Sequence, residues 1–461
     1  MRITHLNPDD GIGASCWLAS LNGHHLLLDA GTHPARIGRD SLPMLDLVKD
    51  VEVDAIALSH CHLDHVGALP LALRQFPQAP VYMSVPSYFI VERVLHNSVN
   101  VMMRQRDENG IKEYPLFTHE EVDDYAPVFQ GIPYRKEITW GSASSKATSP
   151  TLEFFDAGHT LGSAGVLVRS GKSSLFYSGD VCFHDQTLLR AARFDDVRAD
   201  TLILESTRGS HPVPAGFTRE KELERLEENL RVVLERNGPV LIPAFGLGRT
   251  QEILAFLAML MQKGKIRKQQ VYIGGLGRVF TEIYDHQAAN THRSHPRLRL
   301  TESLQLTVLT GRQVESIALN GSKIFVMTAG MMTENTGSHT LATRMLEQPR
   351  AGIFFVGYSD PNSPAGRLRA TPHGESFLFG AGSGRIRKRC QVESFDLTAH
   401  AQREDLVDWV GRVQPKTVVL GHGEAEARKW MAAEIVARHP RIKILQPIQG
   451  QSVECFSGRT A

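Results

Sequence analysis

His60-Cys61-His62-Leu63-Asp64-His65 stands between an apolar run, Ala55-Ile56-Ala57-Leu58, and a segment that reads as a helix from Val66 onward. Neutral imidazoles and a carboxylate are ligands suited to zinc and similar ions. Alternation at the end of a strand sends His60 and His62 to one side. The turn that follows can present Asp64 and His65 toward a neighbouring position. Four ligands in six residues exceed what one tetrahedral ion takes from so short a loop, which predicts two metals side by side. A surface histidine cluster is the bland alternative, and with only twenty histidines in 461 residues this spacing is rare by chance.

Working outward, further apolar runs end in acidic residues: His25-Leu26-Leu27-Leu28-Asp29, Leu152-Glu153-Phe154-Phe155-Asp156, Leu175-Phe176-Tyr177-Ser178-Gly179-Asp180 and Thr201-Leu202-Ile203-Leu204-Glu205. Their length and borders read as buried strands, and in layered α/β folds sites assemble at strand ends. Gly158-His159-Thr160, after the run that ends at Asp156, and Gly421-His422-Gly423-Glu424, after a further run Thr417 to Leu420, each place a histidine beside glycine at a strand end. From about residue 219 the texture changes to charged helical stretches (Arg219 to Arg236, Gln251 to Lys263) alternating with short strands (Val240 to Ile242, Val271 to Ile273, Lys323 to Met327, Ile353 to Val356). That alternation predicts a parallel sheet with crossover helices, a second domain over 208–368 inserted in a first one that resumes at 369–461.

Composition excludes several classes. Apolar residues make up 42% and charged residues 22%, enough apolar surface for large cores and too much for a disordered chain. Fifty-one basic against 50 acidic residues leave a net charge of +1, so any polyanion must be held by a local patch or a metal site. The five cysteines show no C-x-x-C spacing, which argues against a disulfide framework and for a reducing cytoplasm. The first ten residues hold no apolar signal-peptide core. The longest apolar run, Ile253 to Met261, is far short of the roughly 18 residues that suggest a membrane span.

Taken together and in order, these motifs resemble the metallo-β-lactamase fold superfamily, and within it the β-CASP branch of nucleases. The resemblance to that branch is carried by Glu205-Ser206-Thr207, Ile242-Pro243-Ala244-Phe245-Gly246-Leu247-Gly248-Arg249, Ala329-Gly330-Met331-Met332, Val356-Gly357-Tyr358, Leu397-Thr398-Ala399-His400-Ala401 and Leu420-Gly421-His422-Gly423-Glu424. It implies an α/β fold in which an αββα sandwich, residues 1–207 and 369–461, is interrupted by a β-CASP domain over 208–368. It also implies residue roles: His60, His62 and His159 on one zinc, Asp64, His65 and His422 on the other, Asp180 bridging, and Asp29 supporting the ligands from behind. Glu205, His400 and His422 fill the three β-CASP motif positions. Histidine at the third is the pattern of RNA-processing members, where DNA-cleaving members usually carry valine. The chain departs from the pattern at Gln402, where aspartate is common, at Arg208, where tyrosine is usual, and at Ile273-Gly274-Gly275-Leu276, where many members have an aspartate.

The expected activity is hydrolysis of single-stranded RNA, internally or from the 5′ end, leaving 5′-phosphate and 3′-hydroxyl. Two zinc ions activate water and neutralise developing charge on phosphoryl oxygens. His400 is the expected general acid, Glu205 its orienting partner, and Asp64 belongs to both the ligand and the catalytic set. Arg249 and Arg367, near strand ends of the inserted domain, are candidate phosphate contacts. The basic runs Lys263 to Lys268 and Arg385 to Arg389 lack interleaved aromatics and read as solvated faces. Alternatives are a DNA nuclease of the same family, a metal-poor RNA-binding scaffold, and a small-molecule hydrolase, for which the large insert has no use. Homodimerisation is compatible with the sequence; a membrane partner is not expected.

Overall fold

The computed structural model describes residues 1–9, 11–141, 149–380 and 384–455. The chain divides into two compact units, one of Met1–His184, Ala191–Val213 and His400–Ala461, the other of Asp185–Arg190 and Pro214–Ala399.

In the first unit two seven-stranded sheets share one core. One runs Ser452–Glu454, Arg2–His5, Trp17–Leu21, His24–Leu28, Ala55–Ala57, Val81–Ser84 and Phe129–Ile132; the other runs Lys443–Leu445, Thr417–Gly421, Thr201–Glu205, Ser173–Tyr177, Ala164–Ser170, Thr151–Asp156 and Ile138–Thr139. Strand periodicity sorts the side chains. Phe154, Val166, Leu175, Ile203 and Val419 join Trp17, Leu26 and Leu28 in the core between the sheets. Their immediate neighbours Phe155, Leu167, Phe176, Leu202 and Val418 turn the other way. That outer face packs Leu406 and Val410 of the helix Arg403–Val413, and Met431 and Ile435 of the helix Ala425–Arg438. The helix Val85–Asn109 packs on the opposite sheet against Val81–Ser84 and Phe129–Ile132, which completes helix, sheet, sheet, helix.

Each sheet is antiparallel on one side and parallel on the other. His24–Leu28, Ala55–Ala57, Val81–Ser84 and Phe129–Ile132 are parallel, as are Ser173–Tyr177, Thr201–Glu205, Thr417–Gly421 and Lys443–Leu445. Parallel strands bring their C-terminal ends to one edge. The residues that follow these ends include Asp29, His60, Asp180 and His422.

In the second unit the order is Leu306–Leu309, Val271–Gly274, Lys323–Met327, Pro239–Pro243, Gly352–Phe355 and Gln391–Ser394, every adjacent pair parallel. The return to the first unit therefore falls after Ala399 rather than at 369. The reason is Gln391–Ser394, which continues the inserted sheet by pairing with Gly352–Phe355. Residues 369–399 had no helix period to mark them as part of the insert. Within the basic run, Lys388 is buried and its Nζ donates to the carbonyls of Leu368 and Thr371, so this lysine is structural.

Packing is tight at the outer core of the first unit. A Cβ at Gly165 would lie 2.3 Å from Phe176 Cζ and 2.7 Å from Phe194 Cζ, two rings that meet edge to face at 4.9 Å. Gly165→Ala should cost about 1–3 kcal/mol through overpacking, read as a lower denaturation midpoint. An unchanged midpoint would mean that the two rings have room to move.

Candidate metal centre

The first anchor is Asp29, wholly buried and held at φ +60°, a left-handed conformation that aspartate tolerates better than most residues. The strand His24–Leu28 ends there, and the carboxylate turns toward the strand-end loops. Its Oδ1 accepts from Ser59 N at 2.6 Å, and its Oδ2 accepts from Ser59 Oγ at 2.6 Å, Tyr177 OH at 2.6 Å and His65 Nδ1 at 2.7 Å. Burial, and then the neighbouring carboxylate, push the Tyr177 phenol well above its ordinary range, so it acts only as a donor.

These bonds dictate imidazole tautomers. His65 gives its Nδ1 proton to Asp29, which leaves the Nε2 lone pair facing inward. Ser59 Oγ spends its proton on Asp29 and so accepts from His60 Nδ1 at 3.1 Å, turning the His60 Nε2 lone pair inward too. Thr207 Oγ1 donates to His422 O and lies 3.1 Å from His422 Nδ1.

The inward atoms form two sets. His62 Nδ1 lies 3.2 Å from both His60 Nε2 and His159 Nε2, and Asp180 Oδ2 lies 3.7 Å from each of those two Nε2 atoms. His422 Nε2 lies 3.2 Å from His65 Nε2 and 3.3 Å from Asp64 Oδ2, while Asp180 Oδ1 is 3.4 Å from His65 Nε2 and 3.2 Å from His422 Nδ1. One oxygen of Asp180 thus faces each set. Oδ1 is buried and, among the described residues, accepts no hydrogen bond. In each set the ligating atoms lie within 4.8 Å of one another, a donor cluster compatible with a metal ion. Lone pairs crowded at 3.2 Å repel unless a cation or proton lies between them, so the donor chemistry fits the group.

Glu205 and His400 flank this cluster. His400 Nδ1 is 3.1 Å from Glu205 Oε2, and Glu205 Oε1 also accepts from Val181 N at 2.6 Å, which fixes the carboxylate. Burial lowers the His400 pKa, but Glu205 first, then Asp180 and Asp64, outweigh it and hold the imidazole above its usual value. The His400 side chain keeps 22% of its surface exposed. The family departures Arg208 and Gln402 meet each other: Arg208 Nε donates to Gln402 Oε1 at 3.0 Å. Cys61 packs inward against Ser87 O, its thiol pushed up to about 12 by burial.

Arg249 and Arg367 belong to the second unit. Arg249 opens the helix Arg249–Gln262 and lines a small surface cleft with Phe245, Val356, Gly357 and Tyr358. Arg367 donates to Phe379 O at 2.8 Å and lies over the Phe377 ring, so its guanidinium is engaged within its own unit. Ser59, Tyr177 and Thr207 were not singled out from the sequence. Ser59 directly precedes the histidine cluster and Tyr177 shares a strand end with Asp180, and those positions were the only signal.

Because Asp29 is wholly buried and accepts from three side chains, Asp29→Ala should lower stability by roughly 3–5 kcal/mol, and Tyr177→Phe by about 1–3 kcal/mol. Denaturant titration of both variants checks this. A loss below about 1 kcal/mol for Asp29→Ala would remove the network from the account of the fold.

Comparison with known proteins follows the same lines. Residues 9–233 match the family model described as metallo-beta-lactamase superfamily, 250–368 match the Beta-Casp domain, and 385–446 match the Zn-dependent metallo-hydrolase RNA specificity domain. The chain is 28% identical to "Cleavage and polyadenylation specificity factor subunit 3" of Dictyostelium discoideum, over 98% of this chain and 57% of the relative. It is 25% identical to "Endoribonuclease YSH1" of Saccharomyces cerevisiae, over 95% of this chain and 56% of the relative. The chain thus spans little more than half the length of these relatives. A crystal structure of a protein of unknown function from Enterococcus faecalis shares the fold, with a TM-score of 0.56 and 15% identity over 98% of this chain and 99% of that one. A two-sheet sandwich with histidine and aspartate gathered at its strand ends, and a parallel-sheet insert matching the Beta-Casp domain, place this chain in the metallo-β-lactamase superfamily, in its β-CASP branch.

Proposed function

We propose that the protein is a zinc-dependent ribonuclease that hydrolyses phosphodiester bonds of single-stranded RNA and leaves 5′-phosphate and 3′-hydroxyl ends. The observation that carries this reading is Asp180, one buried oxygen facing each of two imidazole-rich sets. His60, His62 and His159 would hold one zinc ion and Asp64, His65 and His422 the other, with Asp180 between them. Bound there, two zinc ions supply an activated water at neutral pH and neutralise charge on phosphoryl oxygens. The match to an RNA specificity domain over 385–446 and relatives named endoribonuclease support RNA as the substrate and internal cleavage as the mode.

The chain's own groups supply the proton. With Nδ1 committed to Glu205, His400 carries its second proton on Nε2, from where it can be given to the departing 3′ oxygen. Glu205 fixes tautomer and ring orientation. It is in turn held by Val181 N, one residue after Asp180, so donor and ligand are positioned by the same loop. Asp29 plays the corresponding part for His65, by raising the basicity of the inward nitrogen.

Elemental analysis of protein purified without chelator should give about two zinc equivalents, falling toward one or none in Asp180→Ala. Zinc-loaded protein should cut end-labelled single-stranded RNA into discrete internal fragments, and faster than matched DNA. Equal or faster cleavage of DNA would overturn the choice of substrate.

A double-mutant cycle addresses the acid. His400→Ala should keep both zinc ions and lower kcat by roughly 10²–10⁴-fold. Glu205→Ala should slow the wild-type enzyme yet add little to His400→Ala, because orientation matters only while the imidazole is present. Additive effects would show that Glu205 acts independently of His400.

A further inference from the structure

Two aromatic residues at the start of a helix that abuts the histidine-bearing loops remain outside the mechanism. Tyr88 and Phe89 sit in the first turn of the helix Val85–Asn109, 37% and 47% exposed, with ring centroids 5.5 Å apart and planes at 87°. Leu63, directly after His62, is 39% exposed. Isolated exposed apolar residues need no explanation, but two adjacent aromatic rings leave a large area unburied.

Their place in the fold is tightly set. Ser84 Oγ and Ser87 Oγ both donate to Gly162 O, at 2.6 and 2.9 Å, which seats the helix start against the loop that carries His159. Gly162 has no room for a side chain, since a Cβ there would lie 2.5 Å from Ser87 Oγ. On the other side Cys61 Sγ lies 3.5 Å from Ser87 O, between His60 and His62. The residues immediately before Tyr88 are therefore wedged between the two loops that supply one whole imidazole set. Tyr88 is backed by Gly131 of the neighbouring strand, where a Cβ would approach Tyr88 Cβ to 3.1 Å. One turn on, Arg93 is exposed and Glu92 half-buried, so the cation faces solvent more than the anion.

We propose that Tyr88 and Phe89 form a stacking platform for an unpaired nucleobase of the RNA substrate, close to the bond that is cut; this rests on the ribonuclease reading above. Perpendicular rings make a corner in which a base can lie flat on one ring and set its edge against the other. Every base has a π-face, so such a platform selects single strands over duplex without reading sequence. It adds to this site a means of holding unpaired RNA that does not depend on the metals.

The test uses zinc-loaded protein and short single-stranded RNA with phosphorothioate linkages, carrying 2-aminopurine at successive positions. Stacking quenches the fluorescence of 2-aminopurine. Wild-type protein should quench one or two positions strongly. Tyr88→Ala/Phe89→Ala should lose that quenching and bind roughly 5- to 100-fold more weakly per stacked base, with its zinc retained. Tyr88→Phe should behave as wild type, and Phe89→Leu, which keeps apolar bulk without a π-face, should lose quenching. Unchanged quenching and affinity in the double variant, the result expected if the pair covers a protein partner instead, would overturn the proposal. So would equal weakening on a strand whose stacked positions are abasic, because the rings would then serve the backbone. Wild-type protein that neither binds nor cuts RNA would overturn the ribonuclease reading and this inference with it. Cleavage of RNA that is indifferent to both rings overturns the platform alone.

Discussion

A carboxylate buried without a lysine or arginine beside it is costly, and Asp29 meets that cost with donors drawn from three segments. Ser59 comes from the loop after Ala55–Ala57, Tyr177 from the end of a strand in the other sheet, and His65 from the short helix Leu63–Val66. Because the donors come from both sheets, the network ties the two layers together at the edge where the metal-ligand loops emerge. It also sets which nitrogen of His65, and through Ser59 which nitrogen of His60, carries the proton. Folding and ligand chemistry therefore depend on one carboxylate, and a change at Asp29 acts on both.

The rest of the centre follows from strand direction. Parallel strands place Asp29, His60, Asp180, Glu205 and His422 at neighbouring C-terminal ends, although they are up to 393 positions apart in the chain. Short loops then need only small rotations to aim side chains at common points. His422 takes φ +46°, an unusual value for a histidine, and its carbonyl accepts from Ser206 N, so the strained turn is pinned from the neighbouring strand. Glycine at 423 is required for the same reason, since a Cβ there would lie 2.5 Å from Ser206 Oγ.

Two departures from the family pattern also become intelligible as a pair. An aspartate two residues after His400 would be a charge close to the ligand cluster, whereas Gln402 is neutral and accepts a bond from Arg208, itself a replacement for tyrosine. The two departures are thus joined to each other by a hydrogen bond.

The candidate metal centre was partly legible in the sequence because its donor residues are chemically rare and end apolar runs. The H-x-H-x-D-H spacing marks itself without a structure, whereas His159, Asp180 and His422 joined it through the family resemblance. The inserted parallel sheet was legible from the change of period near residue 219, and the sandwich only through the family resemblance. The end of the insert was not, because Gln391–Ser394 is a short half-buried strand whose membership depends on a partner, Gly352–Phe355, nearly forty residues earlier. Nor could the sequence single out Ser59, Tyr177 or Thr207, since hydroxyl residues are common and only proximity to a particular carboxylate or imidazole gives them a task. Tyr88 and Phe89 belong to no sequence motif, and only the fold leaves them exposed at the start of the helix Val85–Asn109. Ligand identity lies in side-chain chemistry, which sequence records; tautomers, register and exposure arise from long-range packing, which only the tertiary structure decides.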